Sequence, residues 1–168
     1  MQTSSLDYVS PEAASAPAPD RSVSASPKDG GTPMTKDLEI RLFDRMAPLE
    51  AEWRRLEADP VNSLHQSYDW CFAWDKTHGN PLAIVHGYCN GATAFILPLE
   101  IVRHSMVKSA QFIGSRFNNI NSGLFSPAFR AGAGASEAAQ ISQTLTTLLA
   151  GKADLVSLTN IPLEWRGE

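Results

Sequence analysis

The sequence has little cysteine, no cationic block, no long apolar run and no metal-ligand spacing. Cysteine occurs only as Cys71 and Cys89, well separated along 168 residues. The chain does not start with a cationic segment leading into an apolar stretch, which argues against a secretory signal. Two free, buried thiols are therefore expected rather than a disulfide, and the expected location is cytoplasmic. Lysine and arginine form no dense cluster and the formal net charge is −4, so nucleic acid is not an expected partner. The apolar runs fall well short of the roughly 18–20 residues that a membrane span needs, so a membrane is not expected either. His65, His78, His86 and His104 have no partner at i+3, i+4 or a zinc-finger spacing, and no bound metal is expected. His86 and Cys89 lie an odd number of residues apart on an expected strand, which puts them on opposite faces. There is no G-x-S-x-G elbow, and Asp69 and Asp75 fall on different faces of an expected helix, so a paired-carboxylate hydrolase has no support.

Large apolar residues are scarce at the N-terminus. Residues 1–35 hold seven Ser, five Ala and five Pro, with Tyr8 as the only aromatic. Such a stretch buries too little apolar area to offset the entropy of ordering it. A disordered leader is expected over 1–35, followed by one domain over 36–168.

Within that domain the periodicities are readable. Leu38, Ile40 and Leu42 alternate with polar residues, as in a half-buried strand. Met46, Leu49, Trp53 and Leu56 recur at helical spacing within an expected helix over 44–58, with Pro48 confined to its first turn. Ser67 suits the cap of a second helix carrying Trp70 and Trp74, and Trp53, Trp70 and Trp74 read as core. Two β-rich runs, 82–89 and 92–102, flank Asn90-Gly91, a pair suited to a type I′ hairpin. That turn predicts Cys89 opposite Ala92, His86 opposite Phe95 and Ile84 opposite Leu97. Pro98 cannot donate to a ladder and should mark a bulge or an edge-facing position. Further strands are expected at 107–113, 123–125 and 154–158. A flexible turn is expected at 132–134, and then a helix capped by Ser136, with Ala138, Ile141, Leu145 and Leu148 on one face and Gly151 after its end.

Candidate binding groups are few. Asn118, Asn119 and Asn121 cluster in a loop after a strand, where binding groups often sit, although Asn also suits turn backbones. The segment from Arg130 to Ala135 is small and Gly-rich before a helix, an arrangement that can cradle phosphate, but no Gly-Lys-Ser/Thr follows it.

Several short motifs occur in a familiar order. They are Leu49-Glu-Ala-Glu-Trp53-Arg-Arg-Leu56, Ser63-Leu-His-Gln-Ser67-Tyr-Asp-Trp70, Ala94-Phe-Ile-Leu-Pro98-Leu, Phe112-Ile-Gly114, Asn119-Ile-Asn121 and Asp154-Leu-Val-Ser-Leu158. Together, over residues 38 to 162, they resemble the CelD-like GNAT acyltransferases, two-lobed relatives of the Fem aminoacyltransferases. The resemblance implies an α/β (α+β) N-terminal GNAT-like lobe with a mixed, mostly antiparallel sheet flanked by helices. It implies acyl transfer from acyl-CoA (acetyl-CoA) to an amine. It also implies an incomplete unit, whose partner is a second GNAT lobe or another copy of the chain. Trp70, Gly114, Asn119 and Asn121 are the family-pattern positions and the candidate substrate-binding residues; no catalytic residue carries over. The family's CoA loop, Arg/Gln-x-x-Gly-x-Gly/Ala, belongs to the second lobe. Gln111-Phe-Ile-Gly114-Ser-Arg116 misses that pattern at its last position, and Arg130-Ala-Gly132-Ala-Gly134 has its Arg one residue too close. The alternative expectation is a non-catalytic interaction module that pairs through an open sheet edge.

Overall fold

The computed structural model describes residues 38–162; the expected leader over 1–35 lies outside them. The elements are strand β1 (Leu38–Phe43), helices α1 (Glu50–Glu57) and α2 (Tyr68–His78), strands β2 (Leu82–Cys89), β3 (Ala92–His104), β4 (Val107–Phe112) and β5 (Leu124–Phe125), helices α3 (Pro127–Gly132) and α4 (Ala135–Leu149), and strand β6 (Leu155–Val156). The fold is α+β. Its sheet runs β1-β2-β3-β4-β6, with β5 also on β3. All pairings are antiparallel except β4 with β6, which is parallel. A mixed, mostly antiparallel sheet flanked by helices is thus the architecture.

Each face of the sheet has its own apolar layer. On one face, Met46, Leu49, Trp53 and Leu56 bury against Ile84, Ile96, Ile113 and Leu124. A 3-10 turn at Ala47–Leu49 holds Pro48, so α1 proper begins only at Glu50. The Trp53 indole N–H donates to the Gln66 carbonyl at 2.8 Å, which ties α1 to the turn before α2. Ser67 Oγ accepts the Trp70 N–H at 3.3 Å, and Gly79 ends α2 at φ +63°. On the other face, Val85, Leu97, Leu99 and Phe112 meet Phe129, Leu145 and Leu149 of α3 and α4. Both cysteines are free and buried, and Cys89 belongs to this second layer.

The hairpin turn has the expected geometry, with Asn90 at φ 52° and Gly91 at φ 76°. Cys89 faces Ala92, but the register then slips by one residue. Tyr88 pairs with Thr93 and Gly87 with Phe95, so Ala94 is bulged out. His86 consequently faces Ile96 rather than Phe95, and Ile84 faces Pro98 rather than Leu97. The bulge lays the Phe95 ring over Gly87, where an added Cβ would come within 2.3 Å of it. It also frees the Ala94 carbonyl to accept the Ser126 N–H at 2.8 Å. Pro98 lies between the part of β3 that pairs with β5 and the part that pairs with β4. Its carbonyl accepts the Ile113 N–H, and because a strand residue's N and O point to the same side, its missing donor falls in that gap.

Other corrections lie after β4. The turn expected at 132–134 is present at Ala133 and Gly134, but Gly132 already ends an unexpected helix, α3, which Ser126 caps by accepting the Phe129 N–H at 3.2 Å. Helix α4 is capped at Gly134 rather than Ser136: the Glu137 carboxylate reaches back to the Gly134 N–H at 2.7 Å, and Ser136 merely donates to that carboxylate. Ala138 is exposed, and Leu149 rather than Leu148 completes the buried face. The last strand is two residues long rather than five, with both side chains exposed.

Candidate functional site

Two places combine concavity or buried polarity with residues that sequence reading picks out. The first is a polar network at the junction of α2, β3 and the loop after β4. Its centre is Glu100, only 1% exposed on β3. Oε1 accepts the Gly114 N–H at 3.0 Å and Gln111 Nε2 at 3.4 Å. Oε2 accepts Asn80 Nδ2 at 2.8 Å and the Trp74 indole N–H at 3.2 Å. A buried carboxylate is tolerable only with such compensation, and here it is supplied by four neutral donors. Gly114 is at φ +69°, with Trp74 and the Asn118 side chain both 3.3 Å from where a Cβ would sit. Asn118 Nδ2 donates to Ile113 O and to Asn121 Oδ1, both at 2.9 Å. Asn121 in turn donates to Ser115 and to the Thr159 carbonyl at 3.0 Å.

The four candidate residues therefore separate. Gly114 and Asn121 share this network, bridged by Asn118. Asn121 is 1% exposed and serves to brace the loop. Asn119 is exposed and stands apart from it. Trp70 is half-buried and reaches the network only through Trp74, at 6.3 Å between ring centroids. Trp53 is core, whereas Trp70 and Trp74 border solvent, where Trp74 stacks on His78 at 3.7 Å. Glu100 and Trp74 carry the network, and sequence reading passed over their pairing. The available signal was a single acid inside the apolar run Leu97-Pro-Leu-Glu100-Ile-Val102.

The second place is a cleft of about 910 Å³ on the other face of the sheet. Helix α4 leans toward β1, where Gln140 Nε2 donates to the Leu38 carbonyl at 3.4 Å. The β4–β6 half of that face is left open, walled by Leu97, Phe112, Leu145, Val156 and Leu158. Gly123 keeps the floor clear, since a Cβ there would meet Leu97 at 2.4 Å. The size and apolar lining are those of a small-molecule pocket.

No family model matches the sequence, and no curated protein matches it.

The charged groups along the cleft are already engaged. Arg130 pairs with Asp59 at 3.1 Å, with both side chains largely buried. The Gly134 N–H, where the phosphate-cradle reading would put an anion, holds the Glu137 carboxylate instead. An anion at the start of α4 would have to displace that carboxylate.

Elsewhere, reactive groups are muted. Burial pushes the Cys71 thiol far up, with Glu57 and Glu100 adding to the effect. Burial lowers His86 to about 4, so it is neutral near pH 7. Its Nε2 meets Thr93 Oγ1 at 3.1 Å and its Nδ1 has no partner. Among the described residues, no group of three or more His, Cys, Asp or Glu could hold a metal. No helix among them is long and apolar enough to cross a membrane.

Proposed function

We propose that this chain is the N-terminal lobe of a two-lobed, acyl-CoA-dependent N-acyltransferase, working with a second lobe that supplies the CoA site. The observation that carries the reading is the open apolar cleft between α4 and the β4–β6 half of the sheet. It has room for an acyl chain or an apolar acceptor, while at the helix start beside it the Gly134 N–H is already taken by the Glu137 carboxylate. The lobe then contributes binding surface, and thioester chemistry depends on the partner lobe. Mixed with acetyl-CoA and an amine, the chain alone releases no free CoA thiol. Joined to a lobe bearing the Arg/Gln-x-x-Gly-x-Gly/Ala loop, it does. Rapid turnover by the isolated chain would overturn the reading, as would a joined protein that stays inert with a broad panel of amines.

A second reading is a non-catalytic module that pairs through its sheet edge, and β6 favours it. This short strand leaves Leu155 and Val156 exposed at the end of the sheet order, the kind of edge that invites another chain. A concentration-dependent dimer that is lost in Val156→Lys supports this reading. A strict monomer counts against pairing between copies.

A further inference from the structure

The turn between β3 and β4 combines two unfavourable features at one tip. Arg103 and Lys108 are direct cross-strand partners, and like charges placed opposite each other destabilise a sheet. Neither makes an ion pair among the described residues. The nearby acid, Asp154, accepts the Lys108 backbone N–H at 2.7 Å. Lys152, exposed and likewise without an ion pair, lies two residues before Asp154, whose own N–H donates to the Lys108 carbonyl. At the apex Met106 is 89% exposed and Val107 is 43% exposed. Met106 is the most exposed large apolar residue among those described, and it lies in the turn between Arg103 and Lys108 on a chain whose net charge is −4.

One kind of surface relieves both features. Anionic headgroups neutralise Arg103, Lys108 and Lys152, and the acyl region beneath them takes up an apolar apex. Nucleic acid answers the charges but offers Met106 no apolar phase. We propose that the β3–β4 tip is a peripheral docking point for an anionic lipid bilayer, with Met106 entering the interface between the basic side chains. The sequence-based expectation of no membrane partner rests on the absence of a span, and a tip contact needs none. The proposal stands independently of the acyl-transfer reading.

The test is sedimentation of the full chain with vesicles of phosphatidylcholine, with and without about one-third phosphatidylserine. Binding is expected to the anionic vesicles only, weakening at least about fivefold when salt rises from roughly 0.05 to 0.5 M. Met106→Ser is expected to weaken it by about tenfold, and Lys152→Glu, outside the hairpin, to weaken it as well. Because Met106 is exposed, its replacement leaves the melting temperature unchanged, which separates lost docking from lost folding. No binding to anionic vesicles, equal binding to neutral ones, or binding indifferent to Met106 would each overturn the proposal. Capture of duplex DNA with the same salt dependence and no sensitivity to Met106 would assign the tip to nucleic acid instead.

Discussion

Single side chains set the sharpest expectations. His86 is buried and its pKa is lowered to about 4 from an ordinary value near 6.5. Below pH 6.5 the unfolded chain takes up a proton that the folded chain refuses, so stability is complete above 6.5 and is lost as pH falls toward 4. At about 1.4 kcal/mol per unit, the loss is about 3 kcal/mol. Urea midpoints across that window should fall less steeply for His86→Gln; equal slopes would mean that His86 is not the group responsible. Glu100→Leu removes the acceptor of four N–H donors, of which the Gly114 backbone N–H is buried, and is expected to cost about 3 kcal/mol, measurable by denaturant titration. Gly87→Ala drives a Cβ into the Phe95 ring, an overpacking worth roughly 1–3 kcal/mol. The contacts behind these effects span the fold and leave little trace in the sequence. Glu100 is visible as an acid in an apolar strand, yet its donors Asn80, Trp74 and Gly114 come from three separate segments. Asn119 looked equal to Asn118 and Asn121 because residue type does not reveal which Asn turns inward.

At the scale of elements, what is local was legible. Asn90-Gly91 set the hairpin, Ser67 capped the start of α2, and Met46, Leu49, Trp53 and Leu56 marked the buried face of α1. The slip at Ala94 was not readable, because it depends on the Phe95 ring against Gly87 and on Ser126 arriving from 32 residues later. Helix α3 left a clue in Ser126-Pro127, a cap followed by a proline at the first helical position, but its six residues are too short for periodicity to register. The cap of α4 was misplaced because Glu137, rather than a hydroxyl, reaches the free N–H. Glu137→Ala should therefore destabilise the protein by about 1 kcal/mol. Ser136→Ala should cost less, and the two melting temperatures decide between the caps.

At the scale of the molecule, the two sheet faces are unequally closed. The face under α1 and α2 is sealed by aromatic packing, whereas the face under α4 is half open. β6 forms one wall of the opening. It reaches β4 only after a long excursion, with Asp154 contacting Lys108 across 46 residues. Its backbone bonds to β4 include Asp154 N–H to Lys108 O and Ser157 N–H to Ala110 O. A two-residue strand at the end of the sheet order is expected to open before the longer strands. Deuterium should enter the amides of Asp154 and Ser157 well before those of Ile84 to Gly87, while the antiparallel strands stay intact. On that pattern the wall formed by β6 yields first, so the cleft would widen at its β6 side while its floor on β3 and β4 keeps its shape.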